Sequence, residues 1–251
     1  MAPIPIEIHA DIARASTLPA DVYHAREYYD LQKDRVFART WHALPDVARA
    51  RAPGHVLPFT LLEGCLDEPL VFTRDGSGAP HCLSNVCTHR GALVVEGEGH
   101  LKALRCRYHG RRFALDGSFT SMPEFDGVEG FPSANDSLPA LPLEQWGPLA
   151  FTAVDPAMSF DEWIRPVRAR TDWMPLDAFV HDAASSRDYV IDANWALYVD
   201  NYSEEFHIPY VHAGLSDQLD YGAYRTEVFE YGSLQLGFAK PGETVFDLPR
   251  G

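Results

Sequence analysis

The feature that most limits what this chain can become is a pair of short runs, Cys87-Thr88-His89-Arg90-Gly91 and Cys106-Arg107-Tyr108-His109-Gly110. Each supplies one thiolate and one imidazole with a glycine close behind, on two tight loops separated by a hairpin-like stretch. Two cysteines and two histidines could hold a tetrahedral zinc ion. Cys-x-His is tighter than the usual zinc knuckle, however, and no helix follows to carry a finger's second pair. A [2Fe–2S] cluster accounts for the arrangement better. One iron takes both cysteines, the other takes both histidines, and neutral imidazoles in place of thiolates raise the reduction potential. Gly91 and Gly110 give the loops room to turn backbone N–H groups toward the sulfurs. Cys65 and Cys82 match no ligand position and read as small buried thiols.

The flanking sequence suits a β scaffold. From Trp41 to about Pro148, short apolar runs such as HVLPFTLL and LKALRCRY are broken by turn signals, Asp75-Gly76 and Asp116-Gly117 among them. This predicts a compact antiparallel β domain, which the Pro-, Asp- and Ser-rich stretch Pro123 to Pro148 leaves as an ordered loop. Ahead of it, residues 21 to 38 have helical spacing with acids early and bases late. After Phe151, Asp161 to Val167 and Trp173 to Phe179 read as short helical turns and Arg187 to Ile191 as a strand. Asn194 to His212 reads as a helix, and Arg225 to Ala239 as one or two strands. With 251 residues there is room for one large domain or two small ones.

Charge excludes some functions. The chain has 21 Lys and Arg against 36 Asp and Glu, a formal net charge of −15, which disfavours general nucleic-acid binding. No apolar run approaches the roughly 18 residues of a membrane helix, and the N-terminus lacks the pattern of a signal peptide. The expectation is a soluble, cytoplasmic protein without a disulfide framework. Between Arg90 and Arg112 the sign inverts: Arg90, Lys102, Arg105, Arg107, Arg111 and Arg112 face only Glu96 and Glu98. Such a face suits an acidic redox partner, or is simply solvated with some cations paired to acids from the second domain.

The second informative stretch runs from Asn194 to His212. Read alone, it is a helix bearing carboxylates and broken at Pro209, with His207 and His212 on either side of the break. Five residues apart on an unbroken helix, the two rings would diverge, whereas a break lets them converge on one ion. A satisfied pair of core histidines is the plainer alternative.

Together the two motifs resemble the large subunits of the Rieske non-haem iron oxygenases. C-T-H-R-G … C-x-Y-H-G is similar to the Rieske motif, although Arg111 stands where that family often has Trp. The later stretch is similar to the family's catalytic helix, with Ala196 where Lys is common. The resemblance implies Cys87, His89, Cys106 and His109 as cluster ligands, and His207 and His212 as ligands of a mononuclear iron(II). It puts Glu204 in the place of a carboxylate bridging His207 to His109 of a neighbouring subunit, and Asn201 beside the iron. The implied fold is α+β. N-terminal helical residues 1–40 lead into an antiparallel β Rieske domain (41–150), followed by a helix-grip-like catalytic domain that reads as truncated (151–251).

The implied activity is mono- or dioxygenation of a small organic substrate, with electrons from a ferredoxin or flavin-dependent reductase, in a homotrimer or other homo-oligomer. Two histidines need one carboxylate to complete a facial triad, and no acid after His212 stands at the family's position. Three readings follow: a truncated oxygenase, a complete one using a local acid (Asp217 first), or a ferredoxin-like electron carrier. Tyr198, Tyr202, Phe206 and Tyr210 could line an aromatic pocket or a quaternary ammonium cage, or belong to a core. Choline-monooxygenase-like and aromatic-ring-hydroxylating branches fit alike.

Overall fold

The computed structural model describes residues 5–44 and 47–243. They form two compact units: Gln32–Phe160 with Pro175–Ala184, and a second made of the N-terminal residues to Leu31, Asp161–Met174 and the chain from Ser185. The expected N-terminal helix is present as α1 (Asp21–His24) and α2 (Arg26–Arg35), separated by an extended Ala25. Asp21 and Glu27 open them and Lys33 and Arg35 close α2, the order a helix dipole favours.

The expected β domain follows as β1 (His42–Ala43), β2 (His55–Leu61), β3 (Glu68–Arg74), β4 (Pro80–Ser84), β5 (Gly99–His100) and β6 (Leu104–Arg105). It continues with β7 (Arg112–Phe113), β8 (Phe119–Ser121), β9 (Ala140–Leu141), β10 (Leu143–Trp146) and β11 (Leu149–Thr152). The sheets are ordered β5-β2-β3-β4-β9, β6-β7-β8 and β1-β11-β10, with every pairing antiparallel. Both Asp-Gly signals fall in turns. Asp75 accepts from the Ser77 and Ala79 N–H groups between β3 and β4, and Asp116 accepts from the Ser118 N–H between β7 and β8.

Strand β3 is covered on both faces, which is why it reads as an apolar run rather than an alternation. Val71 belongs to the main core with Val56, Leu83, Leu104 and Phe113, while Phe72 packs on the other side with Leu57 and Ala150. Cys87 and Cys106 are themselves members of the main core. The antiparallel frame also builds their loops. Cys106 leaves β6 and the chain re-enters at β7 through the Arg105–Arg112 pair, while a Val86–Leu93 bridge brackets the first loop.

In the other unit the chain forms α3 (Phe160–Thr171), α4 (Trp195–Tyr202), α5 (Ile208–Val211), α6 (Ala213–Gln218) and a hairpin of β12 (Arg225–Phe229) and β13 (Gly232–Leu236). The turn expected at Asp161 to Val167 is the N-terminal part of the longer α3, and the one at Trp173 to Phe179 contracts to a 3-10 turn at Leu176–Ala178. A groove of about 470 Å³ lies between α3 and the hairpin, lined by Trp163, Val167, Phe229 and Leu234 among others.

Two expectations fail here. Arg187 to Ile191 forms no strand; Tyr189, Val190 and Ile191 are exposed, because alternation alone makes no strand without an edge to pair with. The helix expected over Asn194 to His212 is two pieces, α4 and α5, and its break lies at residues 203 to 207, not at Pro209. Pro209 instead occupies the first turn of α5, where its missing N–H costs nothing. Among the described residues, no helix is long and apolar enough to cross a membrane.

Candidate functional site

The two cysteine loops share one backbone frame. Cys87 N–H donates to the Ala92 carbonyl (2.8 Å) and Gly91 N–H to the Cys87 carbonyl (3.0 Å). Cys106 N–H donates to the Arg111 carbonyl (2.9 Å) and Gly110 N–H to the Cys106 carbonyl (3.1 Å). Gly91 and Gly110 complete the match with φ of +71° and +76°, a conformation that favours glycine. Only the histidine offset differs between the loops, two residues after Cys87 and three after Cys106.

This frame sorts the donors by depth. The cysteines are 3% and 2% exposed. His89 is half-buried and His109 exposed, their rings 4.8 Å apart at 71°. Burial pushes the Cys87 thiol up, the His89 and Arg90 N–H groups pull it back, and neighbouring Cys106 adds to the rise. Burial also lowers His89, helped by the charges of His109, Arg90 and Arg111, and this favours the neutral imidazole a metal takes. Two adjacent buried thiols beside two adjacent imidazoles fit a cluster that takes two protein ligands per iron. Cys65 and Cys82 are both buried and unpaired as thiols, away from this set.

Two residues that the sequence did not point to lock the loops from outside. Asn85 exchanges hydrogen bonds with Val95, donating Nδ2 to its carbonyl (2.7 Å) and accepting its N–H (2.9 Å). The Asp136 carbonyl accepts the Thr88 hydroxyl at 2.8 Å. The one sequence signal for Asp136 is its spacing from Ser133, with which it forms a capping box.

The basic face needs one correction. Arg111 is 2% exposed and ion-paired with Asp136, so it presents no charge to a partner. Arg107 is exposed but pairs with Glu96 at 3.1 Å, and Glu98 is engaged by Arg49 and His55. Arg90, Lys102, Arg105 and Arg112 are exposed.

The second site is built on the broken helix. Asn194 caps α4 by accepting the Ala196 N–H at 2.9 Å. After Ser203 the helix stops because the Glu204 side chain takes the Phe206 N–H, and more weakly the His207 N–H at 3.4 Å. The other carboxylate oxygen of Glu204 accepts from His207 Nδ1, the contact by which a carboxylate orients a metal-binding imidazole. Burial raises the Glu204 carboxyl, but His207 and the Phe206 N–H outweigh it and hold the group below its ordinary value. The His207 and His212 rings lie 5.0 Å apart at 75°, so the break does bring them together. Asn201 is exposed in the last turn of α4, and Tyr198, Tyr202, Phe206 and Tyr210 are exposed around it.

The pair could offer two donors to one ion. Among the described residues no three His, Cys, Asp or Glu side chains converge as one ion requires. Asp217, the acid expected first, is thus not brought to the pair, and Glu227 is bound instead by Arg170. Asp247 lies outside the described residues.

Residues 54–132 match the family described as Rieske [2Fe-2S] domain, and residues 176–245 the one described as ring hydroxylating alpha subunit (catalytic domain). The chain belongs to the Rieske oxygenase alpha subunits, a family that uses a [2Fe–2S] cluster and a mononuclear iron. It is 31% identical over 250 residues to a chloroplastic choline monooxygenase of Arabidopsis thaliana, covering 94% of this chain and 58% of the relative. It is 30% identical over 254 residues to the carnitine monooxygenase oxygenase subunit of Escherichia coli, covering 99% and 66%. The chain therefore spans 58% to 66% of the length of these curated relatives. A solved quaternary ammonium Rieske monooxygenase in complex with L-carnitine matches with a TM-score of 0.71 and 25% identity over 89% of this chain and 63% of that one. Naphthalene 1,2-dioxygenase from Rhodococcus sp. matches with a TM-score of 0.68 and 22% identity over 91% and 55%, a likeness of fold alone.

Proposed function

We propose that this chain is the electron-receiving and oxygen-activating component of a Rieske monooxygenase acting on a small quaternary ammonium compound. Cys87, Cys106, His89 and His109 would hold the [2Fe–2S] cluster, which supplies electrons one at a time. The overall reaction consumes substrate C–H, dioxygen, two electrons and two protons, and yields C–OH and water. The observation that carries this reading is the Glu204 carboxylate on His207 Nδ1, which fixes a ring lying 5.0 Å from that of His212. Such a carboxylate holds a metal-binding tautomer, which a satisfied core histidine does not need. The imidazoles, of which His109 is exposed, are the end through which an electron would enter or leave, and exposed Arg90, Lys102, Arg105 and Arg112 suit an acidic ferredoxin or reductase. Glu204 is proposed to connect His207 with His109 of a neighbouring subunit, which makes a homo-oligomer, such as a trimer, part of the mechanism.

The names of the relatives support a quaternary ammonium substrate. So do the exposed Tyr198, Tyr202 and Tyr210, within nine residues of His207 in sequence, since aromatic rings attract a permanent cation. The test is oxygen uptake by the iron-loaded protein with a reductase system and choline or carnitine. Substrate-dependent uptake with hydroxylated product is expected. A cluster that reduces and reoxidises without such uptake would instead make this chain an electron carrier.

A further inference from the structure

Arg111 follows His109 by two residues and is among the most buried side chains of its unit. Its Nη2 donates to the Asp136 carbonyl at 3.0 Å and to the Asp136 carboxylate. Its guanidinium lies over Phe119, Phe131 and Phe113 at 5.0, 5.7 and 5.8 Å from the ring centroids. Its Nε is buried with no hydrogen-bond partner among the described residues. Asp136 is fixed in turn by the Ser133 N–H (2.6 Å) and hydroxyl (2.9 Å).

The arrangement joins both ligand loops. The Arg111 carbonyl closes the second loop on Cys106, and its partner Asp136 holds the first through Thr88, which lies between Cys87 and His89. A clamp alone does not call for a charge. Burying a guanidinium among rings with one N–H unpaired is costly, and a neutral side chain of that length would fill the same cage. A permanent cation at this place has an effect that a neutral clamp lacks, because one-electron reduction makes a [2Fe–2S] cluster more negative by one charge.

We propose that the Arg111–Asp136 pair sets the reduction potential of the cluster. Arg111 is a positioning residue whose buried charge stabilises the reduced form and raises the potential, and Asp136 moderates that effect. This rests on the reading of Cys87, His89, Cys106 and His109 as the cluster ligands.

The experiment is a mediated redox titration of the cluster-loaded full chain, followed by visible absorption, with iron and sulfide measured on each sample. Arg111→Met keeps the apolar stem against the rings and should shift the midpoint potential downward. Arg111→Lys keeps the charge but loses the fork, and should recover most of that shift even where its melting temperature falls. Asp136→Asn leaves the cation unopposed and should shift the potential upward. Equal shifts in the Met and Lys variants, or a wild-type potential in Arg111→Met, would overturn the proposal, since a purely structural clamp moves both alike. Where Arg111→Met fails to hold its cluster, Asp136→Asn decides: an upward shift supports the proposal, and an unchanged or lower potential overturns it. A wild-type chain that takes up no cluster would refute the ligand assignment itself, a separate outcome visible before any titration.

Discussion

Gly91 and Gly110 hold the same place in the two ligand loops, each four residues after its cysteine with a positive φ and an N–H on the cysteine carbonyl. Gly91→Ala and Gly110→Ala therefore put one backbone question in two surroundings. A Cβ at 91 meets nothing within 4 Å, whereas a Cβ at 110 comes within 3.3 Å of Pro123 Cγ and 3.7 Å of its Cδ. Left-handed backbone costs an L-residue about 1–2 kcal/mol. The reduced freedom of an alanine in the unfolded chain returns about 0.4–1 kcal/mol. Gly91→Ala should thus lose about 1 kcal/mol. Gly110→Ala should lose about 2 kcal/mol, because the Pro123 ring must also give way. Denaturant unfolding of the two variants beside the parent, followed by near-ultraviolet circular dichroism, reads these differences as midpoint shifts. The reasoning is refuted if Gly91→Ala is as stable as the parent, or if it loses more than Gly110→Ala.

Phe113 is fully buried in the core that contains Cys87 and Cys106, so Phe113→Ala should cost about 3–5 kcal/mol in a denaturation midpoint. A smaller loss would mean that the core collapses around the gap. Burial pushes the Cys82 thiol up to about 11, so at pH 8 an aromatic disulfide reagent should label it no faster than the native protein unfolds. Rapid labelling of the folded chain would contradict that. Asp75 is held far below the usual carboxylate range by the Ser77 hydroxyl and then by His81. A depressed carboxyl stabilises the fold above its unfolded value and loses that contribution as pH falls. The parent's advantage over Asp75→Asn should therefore shrink steadily below about pH 4. An advantage that grows on acidification would reverse the sign of this argument.

What was legible in the sequence was local chemistry. Donor type and spacing identified the two cysteine loops, because glycine, cysteine and histidine within five residues leave a loop few other uses. The short apolar runs marked β2, β3 and β4, since each buries at least three consecutive residues. The Arg187 to Ile191 strand failed because pairing is non-local and alternation says nothing of a partner. The break near His207 was legible, its cause was not: Pro209 drew attention as a breaker, while the Glu204 side chain does the breaking by taking the Phe206 N–H. Arg111 was misread as surface charge because its cage comes from Phe119, Phe131 and Asp136, which are remote in sequence and invisible to a charge count.

The two sites differ in what makes them rigid, and this follows from how each chain segment is held. In the first, every ligand loop hangs on backbone hydrogen bonds inside an antiparallel frame, and the thiols lie in the core. Burial penalises the Cys87 thiolate, so a metal held there as proposed would release protons on binding and bind more strongly as pH rises. No single side chain carries that frame, and the loops keep their shape through the ladder beneath them. The second site has no ladder. One carboxylate, Glu204, both ends α4 by taking the Phe206 N–H and fixes the ring of His207. Replacing it would remove the histidine's orientation and the turn that carries it in one step, whereas the cluster loops divide the same two tasks between backbone and core.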